Sequence, residues 1–324
     1  MKFLLNSQVG LNVAKLSFCL AIILLSSSTI LPQKKNLPPV QAREITIVSE
    51  PNAVVWLDNI RRGSTDEAGK LTIKSVSAGK HTLRLRADGF KEISQNLLPT
   101  QKGDLKIALV KTADEAELAF QQAEKLTSSS REKAVEMYEK AIALRPNYPE
   151  ALLGLARVHS DQSNFDKALE AVKKARKFRP GYAEASAVEG RIYVSEGNDE
   201  KAVATFKRAI TEGKGFQPEA HTGLGLFYKD KAEGFASEGD FENEKANYLI
   251  AAGHLKTAVS QLAGAPDAIV IYQFLGLVYE QMKDFEKAIA VYEDFLRVFP
   301  DSSETTAVRS FIEQLKKQMK NENL

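Results

Sequence analysis

The residue types that most often carry catalysis are present in this chain but do not converge. Its single cysteine, Cys19, lies in an apolar N-terminal stretch. Without that stretch no thiol is left for a disulfide, a nucleophile or a Cys-based metal site. The four histidines, His81, His159, His221 and His254, are widely spaced and include no His-Glu-x-x-His pair, so no metal site is expected. There is no Gly-x-Ser-x-Gly elbow and no phosphate loop ending in Gly-Lys-Ser/Thr. Gly223 and Gly225 fit close helix packing, and the many carboxylates fit a solvated surface. This pattern points away from an enzyme and from a bound cofactor.

Charge recognition is the candidate chemistry that remains. In His81-Thr82-Leu83-Arg84-Leu85-Arg86 the alternation puts Arg84 and Arg86 on one strand face, and Arg61 and Arg62 fall in a predicted turn. Together these four arginines would contact an anionic envelope polymer. The other reading is a solvated strand face that protects a sheet edge. A formal net charge of +2 on 324 residues, with no dense basic stripe, excludes nucleic acid as the expected partner.

Three kinds of element must position these groups. Lys2 and Lys15 precede the apolar run 16–25, and Ser26, Ser27 and Ser28 follow it, which is the pattern of a secretory signal peptide. Cleavage after Ser28 or after Ala42 satisfies the small-x-small rule, the second leaving a chain that begins at Arg43. The alternative is an uncleaved anchor. Extended to Leu31, the apolar run reaches about 16 residues, against the roughly 20 of a spanning helix. Membrane contact is therefore expected only through residues 1–31, if they are kept. Both readings place the chain from about residue 43 onward outside the cytoplasm, in the periplasm or attached to the envelope.

Residues 43–112 read as a small antiparallel β-sandwich. Runs at 45–48, 54–57, 71–73, 81–86 and 105–110 are strand-like and separated by turn chemistry, with Trp56 expected in the core. Ser49-Glu50-Pro51-Asn52-Ala53, Val54-Val55-Trp56-Leu57-Asp58, Ala78-Gly79-Lys80-His81-Thr82-Leu83 and Asp88-Gly89-Phe90 together resemble a PEGA domain. Asn59 and Ser64-Thr65-Asp66 depart from that family's pattern within one turn. The resemblance implies an exported bacterial protein and no enzymatic activity.

From residue 113 a helical pattern repeats. Ala134, Tyr138, Ala141 and Pro146 return as Ala168, Val172, Ala175 and Pro180, and again as Ala288, Tyr292, Phe295 and Pro300. Inner-helix marks precede them: Leu152, Leu155, Ala156 and His159, then Glu189-Gly190 and Tyr193, then Tyr272, Leu275-Gly276 and Tyr279. This resembles the tetratricopeptide repeat, a helix-turn-helix unit of about 34 residues. Five units are expected over 113–302, followed by a capping amphipathic helix and tail over 303–324. The fourth, about 218–266, breaks the period, because Tyr228 to Ala251 spans 23 residues where Tyr193 to Ala202 spans nine. The expected fold is thus multidomain, a β-sandwich followed by an all-α superhelix.

The resemblance maps the concave lining to Leu153, Arg157, Asp161, Arg191, Val194, Thr222, Leu226, Lys229, Gln273 and Leu277. Arg157, Arg191 and Lys229 would suit an acidic segment, since Arg pairs carboxylates bidentately. Alternatively Glu150, Glu184 and Glu219 neutralise them. The leading expectation is a non-enzymatic scaffold of the bacterial cell envelope that binds a protein partner on its concave face. The alternative is a cell-wall or carbohydrate binder that uses the β domain, with the repeats serving for oligomerisation.

Overall fold

The protein is described by a computed structural model over residues 43–322. The signal or anchor reading, the spacer and Cys19 lie outside the described residues. No helix among those described is long and apolar enough to cross a membrane.

Among the described residues seven strands come first: β1 (Arg43–Val48), β2 (Val54–Leu57), β3 (Ile60–Ser64), β4 (Lys70–Val76), β5 (His81–Arg86), β6 (Ile93–Leu97) and β7 (Gly103–Lys106). They form two sheets, β4-β1-β7 and β3-β2-β5-β6. All pairs are antiparallel except β1 with β7, which run parallel in register Ile45↔Gly103 to Val48↔Lys106. The alternating side chains Ile45, Ile47, Val55, Leu57, Leu83 and Leu85 meet between the sheets and are fully buried.

Three strands differ from the sequence expectation, one being β7, which spans Gly103–Lys106 where the expected run spans 105–110. Arg61 and Arg62 lie on β3, not in a turn. Asp58 and Asn59 form the turn, with φ of 52° and 64°, and Leu57 pairs with Ile60 across it. Two consecutive left-handed residues make the tight hairpin connection that matches strand twist, and Asp and Asn tolerate that conformation. β6 is the other strand not read from the sequence; its Ser-Gln-Asn centre has no apolar alternation.

Trp56 is also not in the sandwich core. On β2 the core face carries Val55 and Leu57, so Trp56 points from the opposite face, where Arg84 lies directly across from it. The Arg84 and Arg86 guanidiniums sit 4.3 and 4.9 Å from its ring centroid.

Eleven helices follow among the described residues. They are α1 (Glu115–Leu126), α2 (Arg131–Leu144), α3 (Pro149–Asp161), α4 (Phe165–Phe178), α5 (Ala183–Ser195), α6 (Asp199–Glu212), α7 (Pro218–Glu238), α8 (Phe241–Leu262), α9 (Ala268–Gln281), α10 (Phe285–Val298) and α11 (Thr305–Glu322). Side-chain oxygens of Asp114, Asn198, Asp240 and Asp284 accept from the first-turn amides of α1, α6, α8 and α10. α7 and α8 run 21 and 22 residues, against 14 each for α9 and α10. That difference is about two helical turns.

At several positions within and between pairs a large side chain fills the space opposite a helical glycine. Phe206 is fully buried against Gly190 and Gly223, and Tyr292 lies against Gly276. Val308, Ile312 and Leu315 of α11 close the last pair by joining the same buried cluster as Tyr292 and Phe295.

The β part and the helices belong to one compact unit. At the near end, Arg86 pairs with Glu124, the Gly89 amide donates to Gln121 at 2.9 Å, and the Glu92 amide donates to Glu117 at 2.8 Å. At the far end, Ile60 shares a buried cluster with Leu262 and Ile271, and Lys74 meets Asp301 at 3.4 Å. The outer face of β3-β2-β5-β6 therefore lies toward the inner helices.

Candidate functional site

The inner helices begin alike because their sequences do. Pro149-Glu150 opens α3, Ala183-Glu184 opens α5 and Pro218-Glu219 opens α7. Proline at the first helical position gives up an amide that would be unpaired there, and the following glutamate favours the positive helix end. Eight residues after the first helical position stand Arg157, Arg191 and Leu226, so the repeat geometry brings three equivalent positions onto one concave surface.

Between these helices and the outer face of the β sheet lies an open cavity of about 1080 Å³. Trp56, Arg61 and Arg84 line it from the β side. From the inner helices come charged Arg157, Arg191 and Glu219 and apolar Val194, Leu226 and Val270, and from the connection before α7 comes Phe216. The volume suits a ligand of several residues or a sizeable small molecule.

The cations on the repeat side are already paired. Arg157 donates to Glu184 at 3.0 Å and to Glu219 at 3.1 Å, while Arg191 approaches Glu219 at 3.4 Å. Burial works against the Arg157 charge, but Glu219 and Glu184 outweigh it and raise the guanidinium above its ordinary value. Lys229 donates to Asp230 and Glu233, each at 2.9 Å. An acidic ligand would have to compete with these carboxylates.

The residues mapped from sequence divide accordingly. Arg157, Arg191, Val194, Thr222 and Leu226 line the cavity, as do Arg61 and Arg84. Leu153 is 1% exposed and packs into the core against α5, so it lines nothing. Asp161, Gln273 and Leu277 are exposed outside the cavity lining, and Lys229 lies outside it with its own acids.

Arg62 and Arg86 are not free for an external polymer. Arg62 donates to the carbonyls of Leu262 and Ala263, each at 2.9 Å, and Arg86 is buried between Trp56, Phe120, Glu92 and Glu124. Two features were missed. Phe216 and Val270 supply exposed apolar surface in the cavity, and the Gly-Lys-Gly run before Phe216 was the one available sign. His221 and His254, 33 residues apart, place their Nδ1 atoms 3.0 Å apart, and only the helical pairing of α7 with α8 brings them together.

Models of the tetratricopeptide repeat match residues 125–177, 153–218 and 269–302. α7 and α8 fall almost wholly between the matched stretches. No curated protein matches the chain.

Among solved structures, yeast Tom70 is similar with a TM-score of 0.51 at 16% identity, over 64% of this chain and 41% of that one. A thermophilic TPR protein from Thermus thermophilus is similar with a TM-score of 0.45 at 22% identity, over 62% of this chain and 98% of that one. PilF of Pseudomonas aeruginosa gives 0.43 at 14% identity, over 61% and 82%.

Such repeats form scaffolds for protein–protein interaction and are typically non-enzymatic. With helix pairs α1–α2 through α9–α10 stacked in sequence and the repeat models matched over both ends of that stack, this chain is a tetratricopeptide-repeat protein.

Proposed function

We propose that this protein is an exported, non-enzymatic scaffold of the bacterial cell envelope, and that its cavity holds an extended segment of a protein partner. The observation that carries the reading is the shared construction of the cavity. Trp56 and Arg84 form one wall and the inner helices α3, α5, α7 and α9 the other, with Val194, Phe216 and Val270 left exposed between them. Exposed apolar side chains gathered in a concave site are what a partner segment buries.

The envelope assignment rests on the signal-like residues 1–42 and on the PEGA resemblance of the β part. The competing reading, a β domain that grips an anionic wall polymer, is less favoured. It would require Arg84 and Arg86 to leave Trp56, Glu92 and Glu124.

The test is a photo-crosslinking side chain at Val194 in the cavity, compared with one at Lys173 on the outer helix α4, in cells of the native host. One discrete protein adduct from position 194 but not from 173, recovered in the envelope fraction, is expected. Equal labelling from both positions, or none from 194, overturns the cavity as the binding site. N-terminal sequencing of the fractionated protein checks export separately; an intact N-terminus in the cytosolic fraction overturns it.

A further inference from the structure

The first two junctions between repeats follow one plan, and the third departs from it. After α2, the C-cap Arg145 stacks 4.5 Å from the centroid of the N-cap Tyr148 and pairs with Asp114 at the head of α1. After α4, the C-cap Arg179 stacks 4.4 Å from Tyr182 and pairs with Glu150 at the head of α3. Each arginine thus covers an aromatic ring and ties three helix ends together.

After α6 the plan cannot be repeated. Gly213 takes the arginine's place, and Gln217 takes the tyrosine's. A β-carbon at 213 would overlap the Phe216 carbonyl oxygen, so no side chain fits there. The connection is one residue longer than the other two, and Lys214 and Gly215 turn it with φ of 53° and 89°. Phe216 is left 42% exposed and uncovered by any arginine, on the cavity wall. Glu184 stands where Glu150 stands in its helix but has no C-cap arginine to meet, and pairs with Arg157.

The chemistry of the occupant follows from its surroundings. Val194 and Val270 are 41% and 47% exposed in the same cavity. On the repeat side each of Arg157, Arg179 and Arg191 already has a carboxylate partner. At the third junction a ligand carboxylate would have to compete with the acids that hold these arginines, whereas an apolar group gains by covering Phe216.

Resting on the proposal that the cavity holds a partner segment, we infer that the third junction is its anchoring point. Phe216 seats one large apolar side chain, aromatic or leucine-like, from an extended stretch of the partner.

Trp56 is the chain's one tryptophan and lines the same cavity, so its fluorescence reports occupancy directly. The probes are short end-capped Gly/Ser peptides with one central Phe, Leu, Lys or Glu, titrated into the full chain. The Phe and Leu peptides should bind saturably and at least about tenfold more tightly than the Lys and Glu peptides. Phe216→Ser should weaken the Phe peptide about tenfold, Phe216→Leu should restore it, and Val270→Ser should weaken it without touching the junction. Charged peptides binding as well as apolar ones, no peptide binding at all, or Phe216→Ser binding like wild type would each overturn the anchor. If Val194 crosslinks its partner as strongly in Phe216→Ser as in wild type, the anchor falls and the cavity reading stands. If wild-type Val194 gives no adduct, both fall.

Discussion

The Arg62 guanidinium donates to the carbonyl oxygen of Leu262, 200 residues further along the chain, at 2.9 Å. The same nitrogen reaches the Ala263 carbonyl at 2.9 Å. These oxygens end α8, where the chain turns through Ala263 at φ 45°, and a helix end leaves carbonyls without partners. A cation there meets both the orphan acceptors and the negative end of the helix dipole. Arg62 is thus the far fastening of the β part, and Ile60 beside it is packed in the C-terminal cluster.

Arg62→Ala should therefore loosen one wall of the cavity without unfolding either part. Charge-assisted hydrogen bonds of this kind contribute about 1.5–3 kcal/mol. The midpoint of urea unfolding should fall, and amide exchange over β3 should quicken while that over β5 stays slow. Unchanged exchange over β3 would show that Ile60 alone holds this end.

Arg86 fastens the near end, and its loss should cost more. It is 9% exposed, with its guanidinium 4.8 Å from the Phe120 centroid and paired with Glu124. Burial raises the Glu124 carboxyl above its ordinary value, and Arg86 is the largest influence pulling it back. Arg86→Met keeps much of the packing but leaves that carboxylate without its main partner, which costs about 2–4 kcal/mol. Adding Glu124→Gln should recover part of the loss. A double-mutant cycle on urea midpoints measures this, and strict additivity would deny the coupling.

The repeats were the legible part of this protein, and the reason is local. Ala134, Ala141, Ala168, Ala175, Ala288 and Tyr292 each face a helix partner within their own or the next pair, so spacing along the chain is enough to place them. The 23-residue step from Tyr228 to Ala251 carries the long α7 and α8 in the same way.

The β part was legible only on one face. Alternation marks Leu83 and Leu85 as core, but the apolar run Val54-Val55-Trp56-Leu57 has none to turn Trp56 outward, and nothing local says what covers Trp56, Arg84 and Arg86 on the other side. Nor does anything local mark β7 as the parallel neighbour of β1, since that pairing depends on where the chain returns. The cavity was illegible for a related reason. Phe216 counts as a site only because the sheet and the inner helices leave it uncovered.

The glycine at 276 should tolerate no side chain. An added β-carbon would overlap the ring of Tyr292, which is 6% exposed and donates from Oη to Glu280 at 2.5 Å. The ring is held by that bond and by the surrounding cluster, so it cannot swing aside freely. Gly276→Ala should lower stability, because overpacking costs about 1–3 kcal/mol against about 0.8–1 kcal/mol gained from helix propensity. Gly253→Ala on α8 is the control, because nothing lies within 4 Å of its added carbon. That variant should unfold at or above the wild-type urea concentration. Equal loss in both would show that Tyr292 adapts and that backbone effects dominate.

The facing histidines predict how stability depends on pH. With His221 and His254 Nδ1 atoms 3.0 Å apart, one ring donates to the lone pair of the other, and protonating both would set two N–H groups against each other. Burial is the largest influence lowering His221, with the Gly215 backbone opposing it. Burial also leads for His254, followed by His221 and Lys207 of α6. Tyr228 stacks on His254 at 6.2 Å and adds no charge at neutral pH. Both groups therefore take up protons less readily folded than unfolded, where the ordinary value is about 6.5. The unfolded chain binds more protons just below that pH, so stability is full above about 6.5 and is lost as pH falls toward the folded values. His159, lowered by burial and by Lys167, acts in the same direction. Urea unfolding between pH 7.5 and 5.5 should show the decline, and His254→Gln should flatten it while leaving the contribution of His159. A variant with the wild-type slope would remove the pair as its source.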